Sequence, residues 1–218
     1  MSQMLLHELH PAVVHAPIAL LPAACVVDLL GLATDNATLQ NVGRALWSAT
    51  AATGVVAAVA GLAASQEVRM DEPAARDMAF LHGVVNAAVT GAAVGMALYR
   101  RKHRPTGISV VSGLTALGGL LYSASLGGRL VYQHGVGVTP MSPYAPNGAT
   151  PQLALLSAAA PAALLSDALD GLRWLVRRMG SVLQGREPLE QSRSGLTQPA
   201  SPLLTLPPPL PGLLSPRH

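Results

Sequence analysis

PAVVHAPIALLPAACVVDLLGL, residues 11–32, decides the fold: it carries no Lys or Arg and one carboxylate, Asp28. A helix that crosses a bilayer needs about 20 predominantly apolar residues, and this stretch supplies them. Three further stretches repeat the pattern. They are ALWSATAATGVVAAVAGLAA (45–64), AFLHGVVNAAVTGAAVGMALY (79–99) and GISVVSGLTALGGLLYSASLGG (107–128), the last extending as helix to Tyr132. Every backbone donor in hydrocarbon must be satisfied within its own segment, so these stretches are read as helices. The expected fold is all-α, an integral membrane four-helix bundle spanning residues 1–138.

Composition agrees with that reading. Of 218 residues, 50% are hydrophobic, 11% charged and 3% aromatic. Soluble domains average about 25% charged residues. The formal net charge is only +3, with no basic stripe, so nucleic-acid binding has no support. Cys25 is the single cysteine, which excludes an intrachain disulfide, a Cys-x-x-Cys-His haem attachment and an iron–sulfur cluster built from this chain alone. It is read as a small packing residue. Met1 to Leu9 contain Glu8 and no Lys or Arg, unlike a signal peptide, so the first span is expected to be retained. Small residues should let the helices approach closely. Gly91 and Gly95 form a Gly-x-x-x-Gly pair, and Gly54 and Gly61 add notches, although such pairs also arise from a glycine-rich composition.

Orientation follows from the basic residues. Arg100, Arg101, Lys102 and Arg104 crowd the third connection and Arg44 flanks the first, whereas the middle connection sets Arg69 and Arg76 among Glu67, Asp71, Glu72 and Asp77. The positive-inside rule then places the first and third connections in the cytoplasm and the N-terminus outside. Beyond the bundle, residues 139–184 read as a linker and an amphipathic helix. Leu165, Ala168, Leu169, Leu172, Leu175, Val176 and Met179 form its apolar face. A fifth span over 153–179 is the alternative, and it would put Asp167, Asp170 and Arg173 near mid-membrane at about 2.5–3.5 kcal/mol each. The Pro-rich tail, 185–218, is expected to be disordered.

This topology delivers four imidazoles to the outer side: His10 and His15 on the first helix, His82 on the third, and His134 just past the fourth. With Pro11 at the first helical position, His10 would be the cap and His15 would lie about 7.5 Å deeper, level with His82. His15 and His82 are therefore the expected deep pair, with His10 and His134 either a second pair or polar companions. Five residues turn a helix by roughly 140°, so His10 and His15 need not share a ligand. Asn86, one turn after His82, either orients its imidazole or bonds another helix. Arg129 either pairs with an acidic cofactor group such as a haem propionate or snorkels to lipid headgroups. His7, His103 and His218 stand apart, and each imidazole alone could serve as a helix cap.

HPAVVHAPIALL, LHGVVN and GGRLVYQHGVGV together resemble the bacterial membrane-protein family of unknown function DUF2231, over roughly Leu9 to Val138. The family pattern opens His-Pro-x-x-Val-His-Phe-Pro-Ile, has a histidine on the third helix and closes Tyr-x-His-Gly-Val-Gly. Here Ala16 replaces the usual Phe, which puts an aromatic wall in doubt. The resemblance implies a four-helix domain of the bacterial inner membrane, sometimes joined to Rieske or cytochrome c modules, hence electron transfer and, by analogy with other histidine-bearing bundles, haem b. The leading expectation is an electron-transfer subunit holding haem b at its outer face through imidazoles. Zinc or copper on His10, His15, His82 and His134, aided by Glu8, Asp71 or Glu72, is the alternative. A structural or assembly protein without a cofactor is the third reading. The scarcity of aromatic rings counts against a porphyrin pocket. The partners implied are the lipid bilayer, a periplasmic redox protein or another membrane subunit, and a second copy of the chain. No Ser-His-Asp order, phosphate-binding glycine loop or HExxH motif raises an enzyme class above the rest.

Overall fold

A computed structural model describes residues 8–68, 70, 72–137 and 154–189. Six helices follow in order: α1 Leu9–Val13, α2 His15–Thr34, α3 Ala37–Glu67, α4 Pro73–Arg100, α5 Gly107–Tyr132 and α6 Ala160–Leu183. α1 and α2 form one bent span of 26 residues, and that span with α3, α4 and α5 makes four helices long and apolar enough to cross a bilayer. α6 is not among them, so the described helices provide four spans rather than five. The Pro-rich tail expected from residue 185 falls mainly outside the described residues.

Local chemistry sets the helix ends. Pro17 has no N–H to give the carbonyl of Val13, and its ring crowds that turn, which explains the break at Val14. The first span begins at Leu9, two residues before the expected start, so His10 lies inside the first turn and Glu8 takes the cap position. α3 starts well before the expected Ala45. Asn36 Oδ1 accepts from the amides of Thr38 and Leu39 at 2.9 and 3.1 Å, and this cap starts a polar turn that a search for apolar residues passes over. Thr106 and Ser109 close a capping box at the head of α5.

The spans pack as a ring, α2 against α3, α3 against α4, α4 against α5 and α5 against α2. α2 and α4 thus stand on a diagonal and run in the same direction. Leu21, Ala24, Cys25, Trp47, Ala51, Val89, Ala93, Met96, Ala116 and Leu120 fill the centre. Outward-facing Val26, Val56, Leu98, Val111 and Leu121 are exposed, an apolar belt suited to lipid. Gly91 and Gly95 have open space around them, so the Gly-x-x-x-Gly pair packs against nothing here. The close approaches fall at Gly43, Gly61, Gly113 and Gly127 instead.

At the end of the bundle that the charge rule assigns to the cytoplasm, called the inner end below and its opposite the outer end, a buried ion pair spans the diagonal. Arg100 and Asp28 side chains are 0% and 3% exposed. Asp28 Oδ2 accepts from Arg100 Nε at 2.9 Å and Trp47 Nε1 at 2.8 Å, and Oδ1 accepts from Arg100 Nη2 at 2.9 Å. The guanidinium also donates to the carbonyls of Gln40 and His103. Arg100, counted from sequence among the basic residues of the third connection, is therefore a core residue. A Cβ at Gly43 would sit 2.1 Å from Asp28 Oδ1, so only glycine leaves the carboxylate its place.

α6 packs on the outer ends of α3 and α4 through Ala168, Gly171 and Leu175. A Cβ on Gly171 would lie 2.3 Å from the carbonyl oxygen of Leu62. Leu165, Leu169, Leu172 and Val176 share a different face and stay exposed, and Asp170 pairs with Arg173 at 2.6 Å. The amphipathic pattern read from sequence is thus split between a buried and an exposed apolar stripe.

Removing one partner of the inner pair should be severe. Asp28→Ala is expected to cost about 3–5 kcal/mol by stranding the guanidinium, while the double variant Asp28→Leu with Arg100→Met should recover much of that. Unfolding in mixed micelles measures both. Equal losses in the single and double variants would contradict the assignment.

Candidate functional site

His10 and His82 meet across the same diagonal near the outer end. Their ring centroids are 6.3 Å apart with planes at 90°. The meeting follows from register. Asp28 and Arg100 are 72 positions apart, and so are His10 and His82. On each helix the histidine precedes the charged residue by 18 positions, about five full turns and 27 Å, so both groups face the same way. The two polar pairs are thereby spaced close to the thickness of a hydrocarbon core, about 30 Å.

Each ring is held by the neighbouring helix. His10 Nδ1 lies 3.0 Å from the carbonyl oxygen of Ala57 on α3. His82 Nδ1 lies 2.9 Å from the carbonyl oxygen of Ser123 on α5 and 3.0 Å from its hydroxyl. A carbonyl can only accept, so both Nδ1 atoms carry the proton and donate. In the neutral ring the lone pair then resides on Nε2. Nε2 of His82 accepts from Asn86 Nδ2 at 3.0 Å. Nε2 of His10 makes no hydrogen bond with a described residue.

Two glycines make room for the rings. A Cβ on Gly61 would lie 2.9 Å from Cε1 and Nδ1 of His10, and one on Gly127 would lie 3.0 Å from Cε1 of His82. Gly61 follows Ala57 by one turn, and Gly127 follows Ser123 by one turn, so each helix supplies an acceptor and a seat on one face.

The expected pairing of His15 with His82 is overturned. His15 is exposed, and the ring that reaches His82 belongs to His10. The inward stripe of the first span is Pro17, Leu21, Ala24, Asp28 and Gly31, and stepping back seven residues from Pro17 reaches His10. His15 lies roughly 140° from His10 around the helix and falls off that stripe. His134 is not with them either; its Nδ1 bonds Glu72 Oε2 at 2.8 Å and ties the end of α5 to the start of α4. Arg129 is exposed and donates to Gln133 Oε1 at 3.0 Å, which keeps its charge at the rim. Asn86 does reach His82, the first of its two expected roles. His103 stacks on Tyr99 at the inner end, apart from the site as expected. Asp71 lies outside the described residues.

The four imidazoles therefore do not converge. Among the described residues no group of three or more His, Cys, Asp or Glu side chains could hold a metal ion. Sequence reasoning missed Ala57, Ser123 and Gly127, and read Gly61 only as a packing notch, not as the seat of an imidazole. The signal available for Gly61 and Gly127 was a glycine one turn after a small residue at the outer end of a span, on both helices that flank the histidines.

This geometry defines a membrane four-helix bundle with a diagonal pair of backbone-anchored imidazoles. Residues 6–140 match the family described as "Predicted membrane protein (DUF2231)", and the chain belongs to that family. No curated protein and no solved structure matches it.

Adding a methyl group at either seat tests the arrangement. Gly61→Ala and Gly127→Ala should each destabilise the fold by about 1–3 kcal/mol through overpacking, whereas Gly91→Ala, in open space, should be neutral. Thermal unfolding in detergent that ranks the three alike would count against the close ring contacts.

Proposed function

We propose that the chain is an electron-transfer subunit of the bacterial inner membrane in which His10 and His82 are joint ligands of one haem b near the outer face. One observation carries this reading. Two imidazoles from diagonal helices stand at one level with perpendicular planes, and each is anchored through Nδ1 so that Nε2 is the basic atom. Anchoring of one ring nitrogen by a carbonyl is what orients metal-bound histidines generally.

Spacing and donor set fit a shared iron. Metal–imidazole bonds of about 2.0–2.1 Å let two ligating nitrogens lie up to about 4 Å apart, hence ring centres up to roughly 6 Å apart. The observed separation is 6.3 Å. Bound there, haem would supply a one-electron couple whose potential would follow from its ligating imidazoles and its burial. The residues' own part is to hold two rings in a fixed tautomer, with Gly61 and Gly127 leaving them space. Asn86 would have to yield Nε2 of His82 for that nitrogen to hold a metal.

A single copper ion is the second reading. It is favoured by the tight seating of both rings against glycine, which leaves less space for a macrocycle, and imidazole suits copper well. Zinc, which takes four ligands in structural sites, is less well served by two. The redox partner on this reading would be a periplasmic protein or another membrane subunit at the outer rim.

A visible spectrum of the protein purified from membranes should contain a Soret band. His10→Ala and His82→Ala should each abolish its low-spin form, and His15→Ala and His103→Ala should preserve it. An unchanged spectrum in His10→Ala would sink the pairing. A colourless protein carrying about one copper per chain, lost in the same two variants, would favour the second reading.

The topology has its own test. A cysteine introduced at Gln133 should react with an impermeant reagent on intact cells, and one at Lys102 only after the membrane is broken. The reverse pattern would invert the orientation and place the imidazoles on the cytoplasmic side.

A further inference from the structure

The two halves of the bundle repeat one another at the site. Leu9-His10-x-x-Val13 opens the first half and Leu81-His82-x-x-Val85 the second, with Ala16 and Ala88 continuing the match. In each half the histidine donates to a carbonyl on the helix that follows it in the chain, and its ring rests on a glycine one turn beyond. The two histidine-bearing helices are parallel and diagonal, and both hairpins turn at the inner end. At one position beside the rings the copies differ sharply in chemistry. One turn after His10 stands Val14, and one turn after His82 stands Asn86.

We propose that the bundle is a duplicated helical hairpin whose copies have diverged at this position, so that Asn86 holds Nε2 of His82 closed while Nε2 of His10 stays open. The inference rests on the pairing described above, and it adds a regulation of that site. Asn86 Nδ2 donates to the only lone pair His82 has left, because Nδ1 is already committed to Ser123. Any ligand at His82 must first displace this donor. Val14 offers nothing to displace, so a ligand engages His10 first and His82 second. Asn86 is a positioning residue in this scheme, acting through the imidazole beside it.

A reagent that needs a free imidazole lone pair reads the difference without any cofactor. Diethyl pyrocarbonate on the full-length protein in nanodiscs, followed by peptide mass spectrometry, gives a rate for each ring. Both rings are partly buried, which makes their rates comparable. His10 should react faster than His82. A hydrogen bond has a net value of about 0.5–1.5 kcal/mol, so Asn86→Val should speed labelling of His82 roughly 2- to 10-fold and leave His10 alone. Val14→Asn should slow His10 by a similar factor. This second variant adds a donor, so the test stands even if Asn86→Val fails to fold. Equal rates at His82 with and without the Asn86 amide, or a His10 rate indifferent to Val14→Asn, would overturn the proposal. Haemin titrated into the same variants separates the two ideas. Failure to gain a His10- and His82-dependent Soret band would defeat the haem reading, and the labelling pattern would still decide the role of Asn86.

Discussion

A carboxylate inside a membrane bundle must find a cation and hydrogen-bond donors within reach, and Asp28 finds both on the opposite helix. Its two oxygens take three donors from Arg100 and Trp47, and the guanidinium places its remaining donors on backbone carbonyls. Such a pair adds little net stability compared with apolar residues of the same size, because desolvation offsets the attraction. Its effect is on register. A slide of α2 along α4 by one residue, or a rotation by one position, leaves a buried charge unpaired. The same constraint fixes what happens five turns away, where His10 and His82 can meet only if the diagonal helices keep their offset. Lipid supplies no hydrophobic drive for helices to associate, so polar contacts at the two ends and glycine contacts between them carry the specificity.

The spans, their helical state and the close of the bundle near Tyr132 were legible in the sequence because each depends on local apolar length and composition. The partner of His82 was not. Choosing between His10 and His15 requires the rotation of the first helix, and that depends on where the helix starts and how Pro17 bends it. The assumption that Pro11 opens the helix put His10 at the cap and His15 in the interior. Two more residues of helix at the N-terminal end turned the first ring inward. The heptad from His10 through Pro17 and Ala24 to Gly31 contained the correct answer, provided that Asp28 was recognised as inward-facing. Ala57 and Ser123 contribute backbone carbonyls, which leave no mark on residue type. Asn86 was legible since one-turn spacing on a helix needs no tertiary information.

At the outer end of the bundle α6 packs mainly on α3, next to the seat of His10, and also reaches α4 next to His82. Leu175 of α6 packs over Gly83, Trp174 meets Phe80 edge-on at 6.3 Å, and Arg178 joins Asp77. The Asp77 hydrogen bond holds the Arg178 guanidinium even more firmly protonated than usual. His134 pins the end of α5 to Glu72 just before α4 begins. The second half thus carries the amide and the hydroxyl of Ser123 beside its imidazole, whereas the first half presents Ala57 and Val14, and α6 packs on both halves. The difference between the two imidazoles therefore lies in their immediate polar neighbours rather than in the helix that covers them.

Ionisable or strongly polar side chains within membrane spans are expensive and mark function by default. His10 and His82 fit that rule in a specific way. If they served only to close carbonyls of α3 and α5, a serine or threonine could donate as well, and no second basic atom would be carried into the bundle. Imidazole brings a surplus acceptor with each donor. In the second half the protein supplies Asn86 to satisfy it; in the first it does not, although the position is the equivalent one. Nε2 of His10 is not among the sealed polar atoms that lack a partner, so the surplus acceptor stays accessible. On the proposed reading a ligand would take that nitrogen, and the site's asymmetry would set the order in which the two rings engage it.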